Sequence, residues 1–126
     1  MKKNPFWEYI HLEVLSASNG TAQVKCNVFE SILNSSGSVH GGVLATLVDT
    51  SIGNAVLSKL DSNQSTVTVD LNIKYIKPAR GTTILAKASL SNKGGKLAVG
   101  TCEIFDDNNN LVAIGNATFM ILNKKE

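Results

Sequence analysis

From Val43 to Ser58 apolar and small residues occupy nearly every face of a helical wheel, and Asp49 is the only charged side chain before Lys59. A helix of that composition is predicted to be buried on all sides, because no face is polar enough to be left to water. A carboxylate buried without partners is costly, so Asp49 is expected to be paired, neutralised or held for use. A structural alternative is that it caps or bridges neighbouring backbone.

The helix is expected to begin at or just after His40, where Gly41 and Gly42 leave backbone N–H groups uncrowded. Orphan donors and the positive end of the helix dipole suit a developing oxyanion or a polarised carbonyl. At 1.5 Å of rise per residue, the eight steps from Gly41 to Asp49 separate the two by roughly 12 Å. Reacting atoms must approach within about 3 to 3.5 Å, so one chain cannot bring both to one centre. A two-fold dimer with antiparallel central helices would set the mouth of one helix against the acid of the other. The sequence therefore predicts a site shared between subunits.

The flanking segments predict an α+β arrangement in which one long helix is wrapped by an antiparallel β-sheet. Tyr9 to Ser16 and Thr21 to Phe29 are expected to form a hairpin around Ala17-Ser18-Asn19-Gly20. Polar loops are expected at Ser31 to Ser38 and Leu60 to Ser65. Thr66 to Ile76, Thr82 to Lys93, Lys96 to Phe105 and Leu111 to Leu122 are rich in Thr, Val and Ile and predict four further strands. Gly94-Gly95 and Asp106 to Asn110 predict the turns between the last three. No repeat or linker interrupts the 126 residues, which are expected to form one domain.

A formal charge of +2 with pI near 8.6 is too mild to argue for nucleic acid as a partner. Cys26 and Cys102 stand far apart without metal-type spacing and are expected to be reduced thiols. No apolar leader follows Met1-Lys2-Lys3, and no run is long enough to span a bilayer, so no membrane association and a cytoplasmic location are expected.

Asn34, then His40-Gly41-Gly42, Asp49, the segment Thr68 to Tyr75 and the turn Pro78-Ala79-Arg80-Gly81 together resemble the hotdog-fold acyl-CoA thioesterases of the phenylacetate-degradation type. The resemblance runs from about Phe29 to Met120. It implies that the Gly41 N–H polarises the thioester carbonyl while Gly42 supports the turn. It also implies that Asp49 of the partner subunit acts as general base on water or as nucleophile. Asn34 and His40 would orient the thioester or the water near the leaving sulfur, and Thr68, where relatives often place serine, would help hold the water. Arg80 is the leading candidate for the phosphates of coenzyme A, ahead of Lys74, Lys77, Lys93 and Lys96, with a merely solvated turn arginine as the alternative. A homodimer would be the minimal unit and a homotetramer the expected assembly. No cofactor is expected beyond the CoA of the substrate, and no metal.

The chemistry suits these residue types independently of the family. A thioester carbonyl is already electrophilic, so one carboxylate and one helix mouth suffice for hydrolysis. Leu44, Val48, Ile52, Tyr75 and Phe119 are expected to build the acyl pocket.

Other residues are given bland readings. His11 is expected to be a surface or interface histidine in an early strand, and Phe6, Trp7 and Tyr9 to close the core or a subunit contact. Asp70 is assigned a structural bond, Glu103 solvent, and Asp106 and Asp107 a polar hairpin in preference to calcium. Two functional rivals rank lower. One is an acyl-CoA or fatty acyl binding module without turnover, and the other is a hotdog hydratase or dehydratase using His40 and an acid.

Overall fold

The computed structural model describes residues 4–124. A short helix α1 (Pro5–Tyr9) leads into β1 (Leu12–Ser18) and β2 (Thr21–Asn27), followed by a 3-10 turn at Glu30–Ile32 and the central helix α2 (Gly41–Leu57). Four strands complete the chain: β3 (Gln64–Tyr75), β4 (Thr83–Lys93), β5 (Leu97–Asp106) and β6 (Leu111–Asn123). They form one six-stranded antiparallel sheet in the order β1-β2-β4-β5-β6-β3, with α2 packed against all six strands. The expected hotdog arrangement is the one observed.

Two boundaries depart from expectation. Tyr9 ends a helix and starts no strand. The Asn4 side chain accepts hydrogen bonds from the backbone N–H of Phe6 (3.0 Å) and Trp7 (3.4 Å), and Pro5 occupies the first helical position. Asn-Pro is thus an N-cap and N1 signal. His11 stands in the turn before β1 with φ 61°, its ring stacked on Phe29 at 3.8 Å between centroids. Of the expected aromatic cluster only Trp7 packs against the core, while Phe6 and Tyr9 are exposed.

The β1–β2 hairpin turns at Asn19-Gly20, both with positive φ, as a two-residue type I′ turn requires. Asp106 and Asp107 make a polar hairpin, as expected, and no metal-type cluster occurs among the described residues. Hydrogen bonds from the Asn110 backbone hold the Asp106 carboxyl below its usual range, and those from Thr82 do the same for Asp107.

Two glycines set how closely helix and sheet approach. A Cβ on Gly115 of β6 would lie 2.7 Å from the methyls of Val48, and one on Gly100 of β5 would lie 2.7 Å from the Ile52 Cγ2. Val48 and Ile52, expected to line an acyl pocket, instead seat into these gaps and are fully buried in the core. Ile52 and Leu47, both without exposure, contribute about 1.5–3 kcal/mol each in transfer terms. Buried polar side chains of α2 find partners on the helix and across the core: Asn54 Nδ2 donates to the Thr50 carbonyl and Ser51 Oγ to Cys102 Sγ on β5.

The helix is not buried all round. Along the stripe Gly42, Thr46, Asp49, Gly53 and Leu57, spaced at three and four residues, the helix is half-buried or exposed in the single chain. Asp49 is therefore half-buried on an open helix face, where full burial was expected. Both cysteines are free and buried.

Candidate active site

The helix mouth is built by a loop that folds around one side chain. Asn34 Oδ1 accepts from the backbone N–H of Ser36 (3.0 Å) and Ser38 (3.2 Å), while its Nδ2 donates to Ser38 Oγ at 2.9 Å. The amide expected to orient the thioester is thus engaged at both ends in shaping the loop. Val39 N–H then donates to the Ala79 carbonyl and His40 N–H to the Ile32 carbonyl, which delivers the chain to the start of α2.

His40 is the N-cap, and its Nδ1 accepts a hydrogen bond from Gly42 N–H at 3.0 Å. An imidazole nitrogen that accepts from an N–H carries no proton, so the neutral ring presents its N–H at Nε2. Val43 and Leu44 N–H both point to the His40 carbonyl. Of the first helical donors, Gly41 N–H alone has no partner among the described residues. Tyr75 Oη donates to the Gly41 carbonyl at 2.8 Å, and the Tyr75 ring lies so close that a Cβ on residue 41 would meet its oxygen at 3.1 Å. A larger residue here would require the Tyr75 side chain to give way by a few tenths of an ångström.

These groups border a hollow lined by Asn34, His40, Gly41, Leu44, Tyr75 and Lys77, among others. Leu44 and Tyr75, expected at the substrate, lie here, and Gly42 is also on its wall. Arg80 is exposed in its turn and is not part of this lining; Lys77 is the basic residue that is. Sequence reasoning ranked Lys77 below Arg80, and nothing in residue type alone would have reversed that order.

The carboxylate sits in a second hollow with no residue in common with the first. Thr68 Oγ1 donates to Asp49 Oδ1 at 2.6 Å, and Trp7, Gly53, Asn54, Leu57, Thr66 and Phe119 are among the neighbouring walls. A β-bulge produces this contact. Leu71 and Ile73 of β3 face the helix, so strict alternation would turn Thr68 away from it. The register shift between Thr68 and Asp70 inserts Val69, reverses the parity, and returns Thr68 and Thr66 to the helix side opposite Phe119 and Ile121. Asp70 is left on the exposed outer face.

A six-stranded antiparallel sheet packed on one central helix is the hotdog architecture, and the groups just described lie at that helix's mouth and on its open face. Residues 36–113 match the Thioesterase superfamily, and the chain belongs to that superfamily. An esterase-designated protein of Halobacterium salinarum is 32% identical over 90% of this chain and 82% of its own length. The medium/long-chain acyl-CoA thioesterase YigI of Salmonella typhimurium is 28% identical over 66% of this chain and 62% of its length. A solved Bacillus halodurans protein with CoA bound is 37% identical, with TM-score 0.78 over 79% of this chain and 66% of that one. The resemblance seen in the residue pattern is upheld at the level of fold, superfamily and reaction class. Among the described residues no helix is long and apolar enough to cross a membrane.

Proposed function

We propose that the chain hydrolyses acyl-CoA thioesters to a free carboxylate and CoA, in a site completed by two subunits. The observation that carries this reading is the split between the hollows: Gly41 offers a free N–H, Asp49 a hydroxyl-braced carboxylate, and both lie on one helix roughly 12 Å apart along its axis. Neither hollow alone holds both an oxyanion donor and an oxygen base. The outer edge of the twelve-residue strand β3 is unpaired among the described residues, and an edge of that length can pair with a second copy. The named activity of the acyl-CoA thioesterase relative and the CoA held by the Bacillus halodurans protein support CoA as the thiol.

In this site the thioester carbonyl oxygen lies against Gly41 N–H, where the helix dipole favours the charge that develops on attack. Asp49 of the other subunit takes a proton from the attacking water, or itself attacks the carbon to form a mixed anhydride that water then cleaves to the free carboxylate, with Thr68 holding Oδ1 so that Oδ2 is left for the reaction. His40 Nε2–H lies beside the helix mouth as a donor toward the departing sulfur. When the C–S bond breaks, CoA leaves as thiolate and takes up a proton. Lys77, and Arg80 from the neighbouring turn, supply positive charge for the CoA phosphates.

The test measures thiol release from aromatic and short- to long-chain acyl-CoAs by wild type, Asp49→Ala and Gly41→Val, then by a refolded mixture of the two variants. Each variant alone should lose turnover, and the mixture should recover about a quarter of it, because one site in each mixed dimer regains both native groups. Loss in the variants without recovery on mixing would place the site within one subunit. Turnover by Asp49→Ala equal to wild type would remove Asp49 from the mechanism.

A further inference from the structure

Two aspartates stand side by side in the β5–β6 hairpin, and their carboxylates are spent differently. Asp106 Oδ1 accepts from the backbone N–H of Asn108 and of Asn110, each at 2.9 Å, and its Oδ2 from Asn110 Nδ2 at 3.1 Å. That carboxylate closes its own turn. Asp107 reaches instead to the connection between β3 and β4. Its Oδ2 accepts from both the backbone N–H and the Oγ1 of Thr82, each at 2.9 Å.

The receiving segment is shaped for this carboxylate. Gly81 has φ 117°, a conformation that favours glycine, and a Cβ there would stand 2.5 Å from Asp107 Oδ1 and 2.9 Å from its Cγ. The carboxylate thus occupies the space that a side chain would fill. On either side the chain has anchors of its own: the Ala79 carbonyl accepts from Val39 N–H at 2.8 Å, and the Thr82 carbonyl from Val28 N–H at 2.9 Å. Between them, Arg80 and Gly81 make no hydrogen bond or ion pair among the described residues. Asp107 is therefore the side chain that holds the middle of the turn, through Thr82 N–H and through its seat against Gly81.

Charge alone gives no reason for a carboxylate here. The turn carries Arg80, and Lys77 lies close enough for its charge to help lower the carboxyl of Asp106. A negative group beside cations weakens their pull on an anion, and an exposed side chain adds little to the stability of the fold. What remains is geometry. A turn clamped at Gly81 and Thr82 presents Arg80 from a fixed backbone with its guanidinium unpaired, so less freedom is lost when it grips a phosphate.

We propose that Asp107 is a positioning residue for the coenzyme end of the substrate: by holding Gly81 and Thr82 it fixes the backbone from which Arg80 reaches the CoA phosphates. This rests on the reading of acyl-CoA as the substrate. The helix mouth is tied separately, through Val39 and Ala79, so the loss of Asp107 is felt in binding of the nucleotide and not at the reacting carbon.

The experiment measures kcat and KM for one acyl-CoA and for the acyl-pantetheine thioester of the same acyl group, which lacks the phosphates and the nucleotide. It uses wild type, Asp107→Ala, Asp107→Asn, Arg80→Ala and the Asp107→Ala/Arg80→Ala double variant. Asp107→Ala should raise KM for acyl-CoA by about threefold to tenfold with little change in kcat, and leave both constants for acyl-pantetheine near wild type. The direction is diagnostic, since removal of a negative charge would by itself lower KM. Asp107→Asn keeps an oxygen acceptor for Thr82 and should recover most of the loss. In the Arg80→Ala background Asp107→Ala should add little, because its effect passes through Arg80. A KM for acyl-CoA that is unchanged or lower in Asp107→Ala, an equal loss on both thioesters, an Asn variant no better than Ala, or losses additive with Arg80→Ala would each overturn the proposal. Absence of turnover by wild type on both thioesters would count instead against the hydrolytic reading. Calorimetric binding of CoA and of pantetheine then decides the Asp107 proposal: weaker binding of CoA alone by Asp107→Ala supports it, and CoA binding as tight as wild type or tighter, or no binding of CoA by wild type, overturns it.

Discussion

Thr68 Oγ1 donates a 2.6 Å hydrogen bond to Asp49 Oδ1, joining an edge strand to the open face of the central helix. Bonds to a carboxylate are among the stronger hydrogen bonds, and this one restrains a side chain that would otherwise turn in a half-open hollow. Thr68→Val keeps the shape and removes the donor. It is expected to lower kcat about tenfold or more with a smaller change in KM, whereas Thr68→Ser should stay close to wild type. Steady-state kinetics on one acyl-CoA compares the three proteins, and an unchanged kcat in Thr68→Val would show that the bond is incidental.

Gly41 and Tyr75 form a second coupled pair. A methyl on residue 41 would press on the Tyr75 ring, displacing either the tyrosine or the helix mouth with its free N–H. Gly41→Ala should therefore lower kcat/KM by about tenfold to a hundredfold, since a displaced oxyanion donor loses most of its effect. In a Tyr75→Ala background the added methyl has room, so the same substitution should cost much less. A double-mutant cycle reads the coupling directly, and additive losses would contradict the steric account.

Much of this was legible in the residues because the decisive features are local. The composition of Val43 to Ser58 marks a core helix, the His40-Gly41-Gly42 run marks its start, and turn residues separate the strands. Thr68 was harder. Its place follows from a bulge at Val69, and nothing in Thr-Val-Thr-Val-Asp announces that the alternation reverses there. Val48 and Ile52 were assigned to a pocket because periodicity cannot say that Gly115 and Gly100 leave gaps for them on strands distant in sequence. Asp49 was expected to be buried because the apolar count over a helical wheel does not show which stripe the chain's own sheet leaves uncovered. Asn4-Pro5 was a readable signal for α1, obscured by the apparently strand-like residues that follow it.

The two sheet glycines predict a sharp stability effect. Gly115→Ala and Gly100→Ala each place a Cβ 2.7 Å from a helix side chain, with a carbonyl oxygen of another strand also within 3.1 Å, so the packing must shift. Overpacking of this kind costs about 1–3 kcal/mol. Val48→Ala should recover part of the loss in Gly115→Ala and none in Gly100→Ala, where Ile52→Val or Ile52→Ala is the matching partner. Urea denaturation of the five single and four double variants would show whether rescue follows these contacts; rescue without regard to pairing would show a general loosening of the core.

The thiols predict how the fold fails at alkaline pH. Burial pushes Cys102 up from 9.0 to about 11, only partly opposed by the Ser51 hydroxyl that donates to its sulfur, and burial raises Cys26 to about 11 as well. Between pH 9 and 11 the folded chain then holds protons that the unfolded chain has released. Unfolding releases protons in that window, so stability is flat below pH 9 with respect to these groups and falls as pH rises toward 11. For Cys102 the loss is on the order of 2–3 kcal/mol by pH 11. Denaturation midpoints at pH 8 and 10.5 should differ for wild type and differ less for Cys102→Ala and for Cys26→Ala, whose side chains cannot ionise. At pH 8 both thiols should react slowly with iodoacetamide in the folded protein and quickly in urea, because a buried, protonated sulfur is neither accessible nor nucleophilic. A wild-type alkaline decline that persists undiminished in the double alanine variant would assign it to other groups.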